Sequence, residues 1–532
     1  MPNSRLAVIP KTGLAGLKEN WRSDLQAGFL VFLIALPLSL GIAVASGFPA
    51  SAGIITAIIG GLLVSQTSGA FLTINGPAAG LITVLLTSVQ ILGEGDSVAG
   101  YHYTLAAIVM ASTLQILLGF FKMGQICSFI PTSIIHGMLA AIGIIIITTQ
   151  SQVMLGVPSA TNGNVLSVMT QIPDSLSKMN LDVVLISFLS LLLLLTWPLI
   201  NSKIPSQILV VLIGVIFAWH FDFAQAASQG LSNYLISIPD NFFTSFTFPD
   251  FSKITTLKFW GAVLSISLIG SMESLLITSA VDKLDPYHRS TDLDKNLTAI
   301  GWGNLLAGFL GGLPMINEII RSSANINHGA KTAWSNFFHG LFLLLFVAFF
   351  TPFLKSIPLA ALAALLVYTG YQLTSPKLFA QVKDTGKEQL FLFIITIIGV
   401  LTTDLLVGVA IGIIAKLLMN MARGVWLKNL FKINFTIKYL DNNVVIVKLL
   451  GSALFSNVIP LKKALFQIDP SKTIIFDLNE AYLIDFTVMA FIKDFKQHHQ
   501  AKGGHYQELG SSLHTFSDHQ LAARLMALDN RK

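Results

Sequence analysis

The sequence predicts a multi-span α-helical membrane protein built as a 7+7 inverted repeat, fourteen transmembrane segments in all, followed by a small cytoplasmic α/β domain. Three observations predict it. No Asp, Glu, Lys or Arg occurs from Leu25 to Gly93, nor from Met123 to Pro173, although about 20 apolar residues suffice for one bilayer crossing. Two apolar segments, "TINGPAAGLITVLL" and "GGLPMINEIIRSSAN", are interrupted by Gly and Pro at equivalent places of two halves. After Lys428 the composition turns mixed and alternating, as in a small water-soluble α/β fold.

The elements follow in order. Residues 1–22 form a cytoplasmic N-terminal segment without a signal-type apolar core, so the first helix stays as an anchor. Lys11, Lys18 and Arg22 are its positive-inside flanks. Apolar segments then centre on 25–46, 51–66, 77–92, 103–121, 132–150, 182–200 and 206–220. A polar, Pro-containing connection from Phe221 to Lys258 separates them from a second set at 259–281, 296–310, 315–326, 332–351, 357–373, 388–405 and 406–421. The transmembrane domain thus spans 23–425, with repeats at about 23–220 and 259–425. An odd number of spans in each half makes the two inverted. A basic linker with Lys416, Arg423, Lys428 and Lys432 leads into the tail, residues 432–532, and places it in the cytoplasm as well. In that tail "NVVIVKLLGSALF" reads as strand, turn and strand, "VIPLKKALFQI" as a helix, "TIIFDLNEA" as a buried strand and "IDFTVMAFIKDFKQHHQAKGG" as a helix ending at glycines.

Composition excludes several functions. At 53% hydrophobic and 11% charged, the chain has about half the charge of a soluble domain, and its partner is the lipid bilayer. The net charge of +6 is small for this length and gives no nucleic-acid surface. Cys127 is the single cysteine, so no intramolecular disulfide forms and the thiol reads as buried and unreactive. Metal-ligand spacing, a Ser/His/Asp arrangement and a phosphate-binding G-x-x-x-x-G-K-[ST] are all missing from the sequence. The chain therefore reads as no enzyme and without a cofactor, and any transport has to run on an ion gradient, of H+ or Na+.

Paired Gly/Pro breaks are the sequence pointer to a binding site near the bilayer midplane. A half-helix that starts inside the membrane leaves its first N–H groups without intrahelical partners and carries partial positive charge at that end. Pro wastes no donor there and Gly admits close approach to the backbone, so "NGPAAG" and "GGLPMIN" both suit a small oxyanion. Thr73 and Asn75 add neutral donors. Glu273, in mid-span, reads either as a protonatable coupling group or as a carboxyl hydrogen-bonded to Ser or Thr of neighbouring helices. Glu318 and Arg321 stand at i and i+3, either as a mutually satisfied internal ion pair or as part of substrate binding. His136 and His339 are lone histidines in apolar spans and read as packing residues.

"NGPAAGLI", "MESLL", "GNLLAGFLGGLP" followed by Arg321, and "IIFDLNEAYLID" in the tail stand in one order that resembles the sulfate permease (SulP) family over nearly the whole chain. The resemblance implies a mobile core beside a gate domain, a cytoplasmic STAS domain, and dimerisation. It also implies transport of sulfate, bicarbonate, chloride or dicarboxylates by an elevator-like movement. The anion is then held between segments 3 and 10: Gly76, Pro77, Ala78 and Ala79 match the former, and Pro314, Met315, Ile316 and Asn317 the backbone donors of the latter. Arg321 matches an arginine that supplies positive potential, and Glu273 a carboxylate linked to ion coupling. Two departures stand out. Glu318 stands where the family more usually has a small residue and reads either as neutralising Arg321 or as joining Glu273 in ion coupling, and Phe486 stands where regulatory STAS domains carry a phosphorylatable Ser, with Thr487 one position late.

The expectation is a secondary active transporter of a small inorganic oxyanion, sulfate or bicarbonate, coupled to H+ or Na+, in the cell (inner or plasma) membrane with both termini cytoplasmic. An anion channel or chloride exchanger, a nucleobase permease of similar fold, and a membrane signalling scaffold acting through a partner of the STAS domain are the alternatives.

Overall fold

The computed structural model describes residues 9–124, 130–157, 165–200, 204–229, 233–239, 242–441, 443–501, 503–516 and 524–526. Cys127 lies outside them. Two compact units are resolved, residues 1–124 with 142–372, and residues 125–141 with 373–532. In a bilayer every backbone polar group needs a partner within the chain, and apolar runs satisfy this as helices.

The first repeat comprises α1 (Gly13–Ala45), α2 (Ala50–Ile59), β1 (Asn75–Pro77), α3 (Ile82–Gly93), α4 (Ser97–Phe120), α5 (Thr132–Met154), α6 (Val165–Ser177), α7 (Leu181–Ile200) and α8 (Ser206–His220). The second comprises α9 (Leu257–Leu284), α10 (Leu293–Phe309), β2 (Met315–Asn317), α11 (Ile319–Asn327), α12 (Trp334–Phe349), α13 (Leu359–Leu373), α14 (Pro376–Thr385), α15 (Lys387–Thr402) and α16 (Leu405–Ala422). Each of the fourteen predicted apolar segments contains a helix, and seven of the described helices are long and apolar enough to span on their own. Two of the helices named above were not predicted. α6 and α14 mix polar and apolar residues, and hydropathy windows pass over such segments. α1 begins twelve residues before the predicted Leu25, because a charged stretch from Lys18 to Asp24, with the exposed Trp21, precedes its apolar part.

In the first unit, helices of the two repeats touch at backbone distance. A five-residue π-turn, Gly60–Val64, continues α2, and a Cβ on Gly340 of α12 would lie 2.8 Å from the Gly61 Cα. Only two glycines allow that approach.

In the second unit, the tail forms a six-stranded sheet: β3 (Asn434–Asp441), β4 (Val444–Ala453), β5 (Thr473–Ile484), β6 (His505–Leu509), β7 (His514–Phe516) and β8 (Arg524–Met526), with α17 (Ile459–Phe466) and α18 (Phe486–Ala501). β5 pairs in parallel with β4 and β6, and Val445, Val447, Ile474, Phe476, Val488 and Phe495 fill one core. The strand-turn-strand reading of "NVVIVKLLGSALF" is corrected. Gly451, at φ +72°, makes a bulge with a register shift rather than a turn, so Val444–Ala453 is one strand, and its hairpin partner is the earlier β3. Phe486 opens α18, and the Thr487 hydroxyl is buried.

Lys416 is not the linker flank it was read to be. It lies inside α16, 1% exposed, with its ammonium on the Glu388 carboxylate of α15, whose other oxygen is 2.5 Å from Arg423. Removing one member of such a cluster leaves a buried charge alone, at a cost of about 3–5 kcal/mol. Glu388→Ala should therefore lower the melting temperature of the purified protein in detergent, and Glu388→Leu with Lys416→Met should restore most of it. An unchanged melt for the single variant would contradict the assignment.

Candidate functional site

The two breaks meet. β1 and β2 pair antiparallel, Asn75 with Asn317, Gly76 with Ile316 and Pro77 with Met315. The ladder extends through Glu318 N–H to the Ile74 carbonyl at 2.9 Å and Ala78 N–H to the Pro314 carbonyl at 3.4 Å. Past this pair, each chain turns into its half-helix: Ala79–Leu81 is a 3-10 turn entering α3, and Ile319 starts α11. The turn before β2 needs glycine. Gly311, at φ +87°, has its carbonyl held by the Tyr101 hydroxyl at 2.7 Å.

Amide side chains hold the pair in register. Asn75 Nδ2 donates to Asn317 Oδ1 at 2.6 Å, Asn336 of α12 donates to Asn75 Oδ1 at 2.8 Å, and Asn317 Nδ2 and Asn296 of α10 both donate to the Thr278 hydroxyl. Asn304 of α10 accepts the Met315 N–H at 2.6 Å. Ser322 and Asn325 of α11 bind the Ile74 N–H and the Leu72 carbonyl. Asn304, Thr278, Asn336, Ser322 and Asn325 were missed by the sequence reading. The available signal was the presence of amides inside apolar spans, where an unsatisfied polar group is expensive.

The predicted residues gather here with divided roles. Asn75, Gly76, Pro77, Pro314, Met315, Ile316 and Asn317 build the strand pair; the Met315 amide is committed to Asn304 and the Asn317 amide faces the Ser274 hydroxyl at 3.4 Å. The tips that follow are Ala78, Ala79 and Gly80 on one side and Glu318, Ile319 and Ile320 on the other. Thr73 is buried just before β1.

Three ionisable side chains converge on the tips. The Glu273 carboxyl from α9 packs against the Gly80 Cα, close enough that a Cβ there would collide with both oxygens, and its Oε2 has no hydrogen-bond partner among the described residues. Glu318 caps α11 without bonding its own helix, and its Oε1 has no hydrogen-bond partner among the described residues. Arg321 is fully buried, and Nε, Nη1 and Nη2 all lack partners among the described residues. Its guanidinium lies against the Gly76 Cα, so the local backbone tolerates it only because residue 76 has no side chain. Glu318 and Arg321 thus share a helix end without forming the mutual ion pair allowed by their spacing. His339 of α12 is fully buried, and both ring nitrogens lack hydrogen-bond partners among the described residues. His136 lies in α5, away from the tips in chain order and without a role here. A separate cavity of about 380 Å³, bordered by Gln90, Asp96, Thr149 and Gln150, does not include the tips.

Such a site can hold a small anion. Two electropositive helix ends and an unpartnered guanidinium supply donors and potential, while two carboxylates keep the local charge from becoming strongly positive.

Comparison with known proteins identifies the family. The profile of the sulfate permease family matches residues 21–396. The putative sulfate transporter YvdB of Bacillus subtilis is 27% identical over 481 residues, covering 89% of this chain and 88% of that protein. The bicarbonate transporter BicA of Picosynechococcus is 25% identical, covering 76% and 71%. Among solved structures, the transmembrane domain of a cyanobacterium bicarbonate transporter BicA matches with a TM-score of 0.64 at 22% identity, over 74% of this chain and 97% of that one. The overall structure of SLC26A9 matches with a TM-score of 0.71 at 14% identity, over 93% and 85%. At these identities the structural likenesses establish the fold.

If the Gly76 Cα seats Arg321, Gly76→Ala should displace the guanidinium while leaving its charge in place. The expected result is that sulfate or bicarbonate stabilises the purified variant against heat only at concentrations roughly tenfold higher than for wild type, about 1.4 kcal/mol of binding. Equal stabilisation would remove Arg321 from the anion's surroundings.

Proposed function

The chain belongs to the sulfate permease family, and from that premise we propose that it is a secondary active transporter of a small inorganic oxyanion, sulfate or bicarbonate, driven by an H+ or Na+ gradient. The observation that carries the reading is the fully buried Arg321 guanidinium with no hydrogen-bond partner among the described residues, set behind two half-helix tips from opposite repeats. A charge left this way in a bilayer costs several kcal/mol unless a counter-charge joins it. A transported anion does so during part of each cycle.

The relatives include proteins named for sulfate and for bicarbonate, and a backbone N–H cradle serves a tetrahedral or a planar anion alike. Glu273 and Glu318 are the ion-coupling candidates because they are the acidic groups at the tips. An elevator-type movement of the tips, a homodimer, a cell-membrane location with cytoplasmic termini, and a regulatory partner for the C-terminal domain complete the proposal.

The test is uptake of labelled sulfate and bicarbonate into liposomes carrying the purified protein, under imposed Na+ and pH gradients. Uptake of one anion above empty liposomes is expected, and Arg321→Gln should reduce it by about a hundredfold, the loss of a buried charge partner worth roughly 2–5 kcal/mol. No uptake of either anion under any gradient would end the proposal. Deletion of residues 432–532 separates it from a signalling scaffold: flux per molecule in the membrane should persist in part.

A further inference from the structure

We propose that residues 426–432, between the last span and the C-terminal domain, dock on acidic phospholipid headgroups and so seat that domain against the bilayer surface. Docking of this kind requires only that the chain lie in a membrane, whichever anion it carries.

The segment begins where α16 ends. Gly424, at φ +85°, turns the chain there, and the Gly424 and Val425 amides close on the Met421 and Asn420 carbonyls. Along α16 an exposed apolar stripe runs through Val407, Ile414, Leu418 and Met421 at helical intervals, the side of a last span that meets lipid. The apolar surface does not stop with that helix. Trp426 is 81% exposed, Leu427 65% and Phe431 69%. Leu427 and Phe431 stand at i and i+4 of the short helix Leu427–Phe431, so both project from one face. Trp, Leu and Phe gathered on one side of a helix, with lysines beside them, are the composition of a segment that lies in the bilayer interface.

The other side of the segment is already occupied. Leu430 is buried with Val425, Leu454 and Leu483 in one small apolar cluster. The Ser456 hydroxyl donates to the Leu430 carbonyl, and Asn457 Nδ2 donates to the Asn429 carbonyl at 2.8 Å. Leu454, Ser456 and Asn457 follow β4 and Leu483 lies on β5, so the short helix is fastened to the C-terminal domain by both packing and hydrogen bonds. Whatever holds its exposed face therefore also fixes the domain.

Charge selects the lipid. No Asp or Glu occurs from Leu405 to Leu440, and Lys428 and Lys432 are both exposed. Arg423, by contrast, is committed to Glu388. Two ammonium groups beside a large apolar face match a surface with negative headgroups above hydrocarbon. A second copy of this chain fits less well, because a self-complementary contact would bring the same lysines together.

The experiment places the full chain in nanodiscs holding one copy or two, made of phosphatidylcholine alone or mixed with phosphatidylglycerol. Hydrogen exchange of the amides of residues 427–432 is read by mass spectrometry, with Ile474–Phe476 of β5 as the reference. In one-copy discs the segment should exchange about tenfold more slowly with the acidic lipid than without it, since each lysine at an acidic surface biases docking about fivefold. Lys428→Gln with Lys432→Gln should abolish that difference, and Trp426→Ser with Phe431→Ser should exchange fast in both lipids. Both variants leave Leu430 and the bonds to the C-terminal domain intact. Equal exchange of the wild-type segment in the two lipids overturns the proposal, as does a lipid difference that survives in the lysine variant. So does slowing that appears only in two-copy discs, which would give the surface to a second chain. Slowing shared equally by the reference strand would be a general stabilisation and overturns it as well.

Discussion

The antiparallel pairing of β1 with β2 is the interaction on which the rest depends. Breaking a helix inside a bilayer strips backbone groups of their partners, and hydrocarbon offers none. Here two breaks cancel one another, since each strand takes the hydrogen bonds that the other has lost. The groups left over are those just beyond the pair, at the starts of α3 and α11. Pairing therefore decides which amides are used by the backbone and which are not, and fixes both tips against each other across the repeats.

The buried polar chain serves the same pairing. Asn336, Asn75, Asn317, Thr278 and Asn296 form a ladder that crosses several helices, each hydrogen-bonded to the next. A connected network in low dielectric is stiff, because shifting one amide leaves its neighbour unsatisfied. Arg321 and His339 stand outside this ladder, without hydrogen-bond partners among the described residues. The site thus combines a rigid amide scaffold with ionisable groups that are held in place by packing rather than by bonds.

Much of this was legible in the sequence. Apolar length gave the fourteen spans, and the repeated Gly-Pro break located β1 and β2, because a proline inside an apolar run conflicts with a continuous helix in any context. Glu273, Glu318 and Arg321 were visible as charges where charge is rare. Their surroundings were not: that Arg321 lies against Gly76 and Glu273 against Gly80 depends on the opposite repeat, far away in sequence. Lys416 misled for a similar reason, since a lysine near a membrane end has the same local signature whether it meets water or Glu388. Gly451 misled because a glycine at positive φ fits a bulge as well as a turn. The amide ladder was passed over because attention went to charge, although an uncharged asparagine in an apolar helix carries the same information.

The strand pair also sets a condition on how the protein is made. β1 is synthesised about 240 residues before β2, which at about 5–20 residues per second is on the order of 12 to 50 s. Throughout that delay the nascent Asn75–Pro77 stretch is in or beside the bilayer with its backbone unsatisfied. It has to wait in the shelter of the insertion machinery rather than be released into lipid, and a first repeat truncated before its mate emerges would be open to quality-control proteases.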